Sequence, residues 1–198
     1  MDFIQDINLF GEPVQQKKGK KKQDRKSPED KMHEKVKSLL EVWNRFPNKN
    51  CSQHLISDGT FDFYSFTGAA LEMQKTGFDE FLGTTWLMNQ PISSDLISRH
   101  DQEQIRNITL IVGRYLKART PHVYGFLKNS ARERDRIKIK EGRIHAKIIL
   151  LGNYNTDTFL TIEGSANFTE NPRTEQYVIS NNMDIYEFHK KWINEFRW

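Results

Sequence analysis

The chain has 198 residues, 36% of them hydrophobic and 28% charged, with a formal net charge of +4. That length holds one domain with a real core plus a short tail. A single cysteine, Cys51, excludes an intramolecular disulfide and a cysteine-rich metal site, and no apolar run approaches bilayer length, so no membrane partner is expected.

The opening MDFIQDINLF has acidic residues early and no long apolar run, unlike a signal peptide. With one cysteine, this fits a reducing, cytoplasmic setting. Residues 1–28 read as a basic tail: glycines and prolines interrupt it, and Lys17 to Lys26 carries seven positive charges in ten residues. A block of like charge with no apolar side chains to bury is expected to be disordered. It serves either as a solubilising tail or as an arm laid along phosphates, with Lys17, Lys18, Lys20, Lys21 and Lys22 as contacts. Within it, Gln5 to Phe10 loosely resembles the short peptides that bind bacterial sliding clamps, through Gln5, Leu9 and Phe10. The other use of such an N-terminus is docking on its own domain.

Ser27-Pro28-Glu29-Asp30 places a cap, a proline at the first helical position and acids in the first turn. Val36, Leu39, Leu40 and Trp43 then recur at helical spacing up to Pro47. Residues 29–53 are thus a helix and a connection, polar from Asn48 to Ser52, ahead of a domain spanning 54–198. Asp58-Gly59 marks a turn. Phe61 to Gln74 fits a short strand or a helix. Phe78 to Trp86 reads as a strand, Pro91 to Ile105 as a helix and Asn107 to Gly113 as a buried strand. Arg114 to Lys128 is expected to be helical with a break at Pro121. Strands follow at Arg134–Lys140, Arg143–Leu151, Thr158–Glu163 and Gln176–Ser180, with a turn at Glu141-Gly142. Met183 to Phe196 closes the chain as an aromatic amphipathic helix. This order argues for an α/β fold, a mixed sheet flanked by helices, with no internal repeat.

Charge is concentrated as well. From Arg114 to Lys147 there are eleven Lys or Arg against Glu133, Asp135 and Glu141, a local excess of eight. That basic run, which includes Arg143, leads into HAKIILLGNYNTDTFLTIEGSANFTENPRTE, residues 145–175. In extended chain, side chains two apart share a face, so His145 and Lys147 project together while Ile144, Ala146 and Ile148 point into apolar packing. An ammonium beside an imidazole suits a phosphate: fixed positive charge next to a nucleophile or proton carrier. After the next strand, Gly164-Ser165-Ala166-Asn167 offers a hydroxyl and an amide at i and i+2 to one oxyanion. Glu175 follows at a strand start, placed to accept a proton from an imidazole and hold its tautomer. The remaining histidines, His33, His54, His100, His122 and His189, do not pair at metal-ligand spacing. Trp86, after Thr84 and Thr85, is either a rim aromatic or a surface for stacking a base.

His-x-Lys, then Gly-Ser-x-Asn after the next strand, then a trailing Glu resembles the phospholipase D superfamily. The branch it looks most like is the small bacterial nucleases and metal-independent restriction enzymes that carry one copy of the motif. The likeness covers about residues 54–198, because the strand ending in Thr84-Thr85-Trp86, the helix and NITLIVG also resemble that family's first βαβ unit. The resemblance implies that His145 attacks phosphorus, that Lys147, Ser165 and Asn167 grip the non-bridging oxygens, and that Glu175 orients the imidazole. It implies no metal and no cofactor. It also implies a homodimer, because a second histidine must protonate the leaving group and the chain carries only one motif. The expected substrate is nucleic acid, DNA placed ahead of RNA. The rival readings are a nucleic-acid-binding accessory protein of the same fold and a lipid-headgroup phosphodiesterase. One departure stands out: the aspartate common five residues after the lysine is Gly152 here, with Asn153 beside it.

Overall fold

The computed structural model describes residues 26–169 and 173–197. The clamp-like peptide at Gln5, Leu9 and Phe10, and Lys17, Lys18, Lys20, Lys21 and Lys22 of the basic tail, lie outside the described residues.

Helix α1 (Pro28–Val42) starts where the cap predicts. The Ser27 hydroxyl accepts from the Asp30 amide at 3.1 Å and the Asp30 carboxylate accepts from the Ser27 amide at 3.2 Å, a reciprocal capping box. Strand β1 (Cys51–Ser57) follows, and here the structure differs from the expected polar connection: Cys51 and Ser52 already belong to a strand paired antiparallel with Glu175–Asn181. CSQHLIS lacks a clean apolar alternation because β1 is an edge strand, exposed along most of its length.

Phe61 to Gln74 resolves into a turn and helix α2 (Ser65–Met73). The Asp62 carboxylate sets the start, accepting from the Ser65 amide at 2.9 Å and its hydroxyl at 2.8 Å. Residues 65–71 are all buried, so no polar face reveals the helical period. Strand β2 (Phe78–Thr85), helix α3 (Gln90–Asp101) and strand β3 (Ile105–Gly113) form a parallel unit. Helix α4 (Tyr115–Arg119) breaks at Thr120, and α5 (Pro121–Glu133) begins on its proline, as the sequence predicts. Strand β4 (Ile137–Gly142) extends through Glu141 and Gly142, which pair with Val112 and Gly113 instead of forming a turn. Strands β5 (Ile148–Asn153), β6 (Thr158–Gly164) and β7 (Glu175–Asn181) run antiparallel, and α6 (Met183–Glu195) closes the chain.

The seven strands form one mixed sheet in the order β1-β7-β6-β5-β2-β3-β4. Alternate residues feed two layers. Phe81, Ile149, Leu151, Ile162 and Tyr177 face the large core with α1, α2, α3, α4 and α5, while Leu82, Ile111, Ile148 and Leu150 face α6 through Tyr186 and Ile193. Aromatic rings dominate the large core, with Phe66 4.9 Å from Tyr177 and Phe63 stacked on Tyr177 at 5.6 Å. Lys140 donates to the carbonyls of Ile193 at 3.0 Å and Asn194 at 2.6 Å, capping the C-terminal end of α6. No helix among the described residues is long and apolar enough to cross a membrane.

Candidate active site

The strand order decides what residues 143–147 must do. Strand β4 lies at one edge, and β5 lies beyond β3 and β2. The chain must therefore cross three inter-strand gaps, about 14 Å. Five extended residues cover roughly 17 Å. Arg143 to Lys147 is spent on that crossing, so the strand expected from Arg143 starts only at Ile148. Extended geometry survives without a ladder: Ile144 and Ala146 pack against the α6 layer while His145 and Lys147 turn the other way.

This crossing runs over the C-terminal ends of the parallel strands, the edge at which open α/β sheets present ligand sites. Two buried threonines at the end of β2 fasten it. The Thr84 hydroxyl donates to the Ala146 carbonyl at 2.9 Å, and the Thr85 hydroxyl accepts from the Phe168 amide at 3.2 Å. The Gly164 amide donates to the Lys147 carbonyl at 3.2 Å. Both halves of the motif are thus tied to one another and to β2.

Lys147 Nζ lies 2.9 Å from His145 Nδ1 and 3.3 Å from Nε2. Lys147 is 7% exposed, whereas the His145 imidazole is open to solvent. Burial holds the Lys147 ammonium below its ordinary pKa, and the Glu175 carboxylate partly counters that. Glu175, also buried, accepts from the Ser165 hydroxyl, which in turn accepts from the Gln176 amide at 3.2 Å. Asn167 Oδ1 is buried without a hydrogen-bond partner among the described residues. Such an atom raises the free energy of the fold, and sites awaiting a ligand are where it is tolerated. Gly164 serves packing more than turning: a Cβ there would lie 3.0 Å from Tyr177 Cε1 and closer still to Cδ1.

The structure therefore brings together His145, Lys147, Ser165 and Glu175, with Asn167 two residues beyond Ser165 on the loop that Phe168 ties to Thr85. Trp86 lies beside them, its ring centroid 5.8 Å from that of His145, and Arg143 is exposed two residues earlier on the same crossing. Two features escaped the sequence. One is the Thr84 and Thr85 clasp, present in the sequence only as polar residues at a strand end. The other is Tyr115, 5.5 Å from Trp86 and 57% exposed, hidden by 28 intervening residues. A cavity of about 640 Å³ lies elsewhere, between α1, α2 and α3, lined by Met32, Val36, Tyr64 and Arg99.

Gly152, where the resemblance leads one to expect an aspartate, has a carboxylate beside it. Gly152 pairs directly with Glu80 of β2, and the Glu80 carboxylate gathers Tyr154 at 2.5 Å, Tyr186 at 2.9 Å and Lys190 at 2.5 Å over it. A carboxylate occupies that neighbourhood from the adjacent strand. Asn153 holds the hairpin, accepting from the Asn155 and Thr156 amides at 3.0 Å each.

The seven-stranded mixed sheet and its flanking helices define an α/β fold. Among solved structures, the chain is similar to polyphosphate kinase from Porphyromonas gingivalis: TM-score 0.52, 15% identity, 72% of this chain and 26% of that one. It is also similar to TrmBL2, an archaeal chromatin protein described as showing a novel mode of DNA binding: TM-score 0.50, 12% identity, 84% of this chain and 59% of that one. The chain thus spans about a quarter of the first protein and less than two thirds of the second. At these identities the likeness is one of fold. No family model matches the chain, and no curated protein matches it.

Proposed function

We propose that the chain is a metal-independent phosphodiesterase that cleaves nucleic acid through a phosphohistidine, with its active site completed by a second copy across a twofold axis. The observation that carries this reading is the pair at the crossing: an exposed imidazole over a buried ammonium, 2.9 Å apart. Glu175 offsets only part of the cost of burying that ammonium, and an anion that arrives from outside would offset more.

In the proposed sequence a non-bridging phosphate oxygen takes the Lys147 ammonium, freeing the imidazole that it had engaged. The Asn167 amide NH2 donates to the other non-bridging oxygen, joined by the Ser165 hydroxyl as it turns from Glu175 to the phosphate, and the Glu175 carboxylate balances Lys147, alongside the imidazole-orienting role that the resemblance assigns to it. A His145 nitrogen attacks phosphorus and the bond to the leaving oxygen breaks. The second copy's histidine gives its proton to that oxygen, then removes one from water, which displaces the phosphate from His145. His145 stands on an open surface in one protomer, which is what half of a shared site presents. The basic run from Arg114 to Lys147 leads into this site along the chain and suits a polyanion.

Cleavage of plasmid and single-stranded DNA in excess EDTA tests this. We expect cleavage by wild type and a loss of at least about 10³-fold in His145→Ala; equal cleavage by both ends the catalytic reading. The absent aspartate at Gly152 favours a second reading, a phosphate-gripping accessory protein. Its signature is salt-dependent binding without turnover that survives His145→Ala.

A further inference from the structure

Helix α4 follows β3 directly and is only five residues long. Leu116, fully buried, pins it to the core, and this turns Tyr115 outward at 57% exposure. Trp86 lies over the end of β3, where Gly113 leaves room: a Cβ there would lie 2.7 Å from the Trp86 carbonyl oxygen. The indole meets Tyr115 edge to face, 5.5 Å and 75°, and meets the His145 ring at 5.8 Å and 48°. Three rings thus form a continuous ledge that starts at the imidazole and runs outward. Exposed cations, Arg114 and Arg119, stand on the same short segment as Tyr115, while Lys117 lies over the Tyr124 ring at 5.7 Å.

We propose that Trp86 and Tyr115 form a stacking ledge for unpaired bases, so that the His145 site takes single-stranded nucleic acid in preference to duplex. This rests on the reading that the site receives a nucleic-acid phosphodiester. An aromatic face open to solvent beside cations is the arrangement that binds single strands, the rings taking base faces and the cations tracking the backbone. A duplex keeps its base faces stacked on one another and offers only groove edges and phosphates, so it gains nothing from Tyr115. The ring reads what DNA and RNA share, a π-face on every base.

The test is fluorescence anisotropy with the full chain in EDTA, using His145→Ala to prevent turnover. The probes are a labelled single-stranded DNA, the RNA of the same sequence and the matched DNA duplex. Single strands should bind more tightly than duplex. Adding Tyr115→Ala should weaken single-strand binding roughly 5- to 150-fold and leave duplex binding within about twofold, while Tyr115→Phe, which keeps the ring, should stay near the parent. Equal falls for DNA and RNA support a ledge that reads bases alone; a fall in one only supports a ledge tuned to that sugar. Equal affinity for duplex, no effect of Tyr115→Ala, or Tyr115→Phe as damaging as alanine would each overturn the proposal. Wild-type cleavage separates the two readings. His145-dependent cleavage without a Tyr115 effect removes the ledge alone, ledge-dependent binding without cleavage removes the catalysis alone, and no binding by any strand removes both.

Discussion

Consider Gly152→Asp, which puts back the side chain that the phospholipase D pattern carries five residues after its lysine. A Cβ at Gly152 would lie 2.9 Å from Tyr186 Cζ, closer still to its hydroxyl, and 3.3 Å from Glu80 Cγ. Tyr186 is 0% exposed and cannot retreat, since its hydroxyl donates to a Glu80 oxygen that also takes Tyr154 and Lys190. Overpacking of this kind costs about 1–3 kcal/mol. A second carboxylate directly across the ladder from Glu80 adds like-charge repulsion and desolvation, about 1–3 kcal/mol more. The smaller entropy of an unfolded chain without that glycine offsets only about 0.4–1 kcal/mol. The expected net loss is about 2–5 kcal/mol for aspartate and about 1–2 kcal/mol for Gly152→Ala. At about 2–4 °C per kcal/mol for a chain of this size, Tm falls by roughly 4–20 °C and 2–8 °C respectively. Thermal unfolding measures both, with EDTA-resistant cleavage followed in parallel. Adding Tyr186→Phe to Gly152→Ala removes the obstructing hydroxyl and should recover part of the loss. A Gly152→Asp protein that melts within about 1 °C of wild type would show that Glu80 and Tyr186 do not fill the aspartate's place.

Two further outcomes follow from buried polar groups. Asn167→Leu removes an orphaned acceptor whose burial costs about 1–3 kcal/mol, so Tm should hold or rise while cleavage falls by about 10²-fold or more; a drop in Tm with activity kept would contradict the site assignment. His189 is buried on α6, accepting from Trp192 Nε1 at 3.0 Å and facing Glu163 at 3.5 Å, and burial lowers its pKa against the partial opposition of Glu163. Below about pH 6.5 the unfolded chain therefore binds the proton first, and the stability present at neutral pH is lost as pH falls toward the folded value. Protonation also forfeits the Trp192 bond, worth about 0.5–1.5 kcal/mol. The Tm difference between pH 7.5 and pH 5.5 should shrink in His189→Phe, and an unchanged difference would remove His189 from the acid response.

The parts of the fold that local chemistry specifies were legible in the chain. Ser27 and Asp30 cap α1, Pro121 divides α4 from α5, and NITLIVG forms a buried strand, because each signal acts within a few residues. What sequence could not supply was register and strand order. Nothing in CSQHLIS says that it borders β7, and nothing in RIHAK says that five residues must cross two strands before β5 begins. The same limit applies to the site. The proximity of His145 and Lys147 follows from their i, i+2 spacing, but the Glu80 carboxylate opposite Gly152 depends on a pairing of residues 72 positions apart. Tyr115 reads as a helix aromatic until Trp86 is placed beside it.

Stability alone does not explain why the crossing carries the groups it does. A buried lysine whose ammonium is destabilised by burial and a buried amide oxygen without a donor both weaken the fold that contains them. An apolar residue at either position would pack at less cost. Both are nevertheless held in register, Lys147 through its carbonyl to Gly164 and the Asn167 loop through the Phe168 amide to Thr85. Two fully buried threonines maintain that arrangement from below, one for each half of the motif. Local disadvantage held by dedicated anchors at the ligand-presenting edge of a sheet is what selection for binding an outside charge produces. In the proposed complex a phosphate oxygen would pair with the Lys147 ammonium, and a donor brought by the substrate or the second copy would meet the Asn167 amide oxygen. The groups that are costly in one protomer are thus the ones that the proposed complex makes favourable.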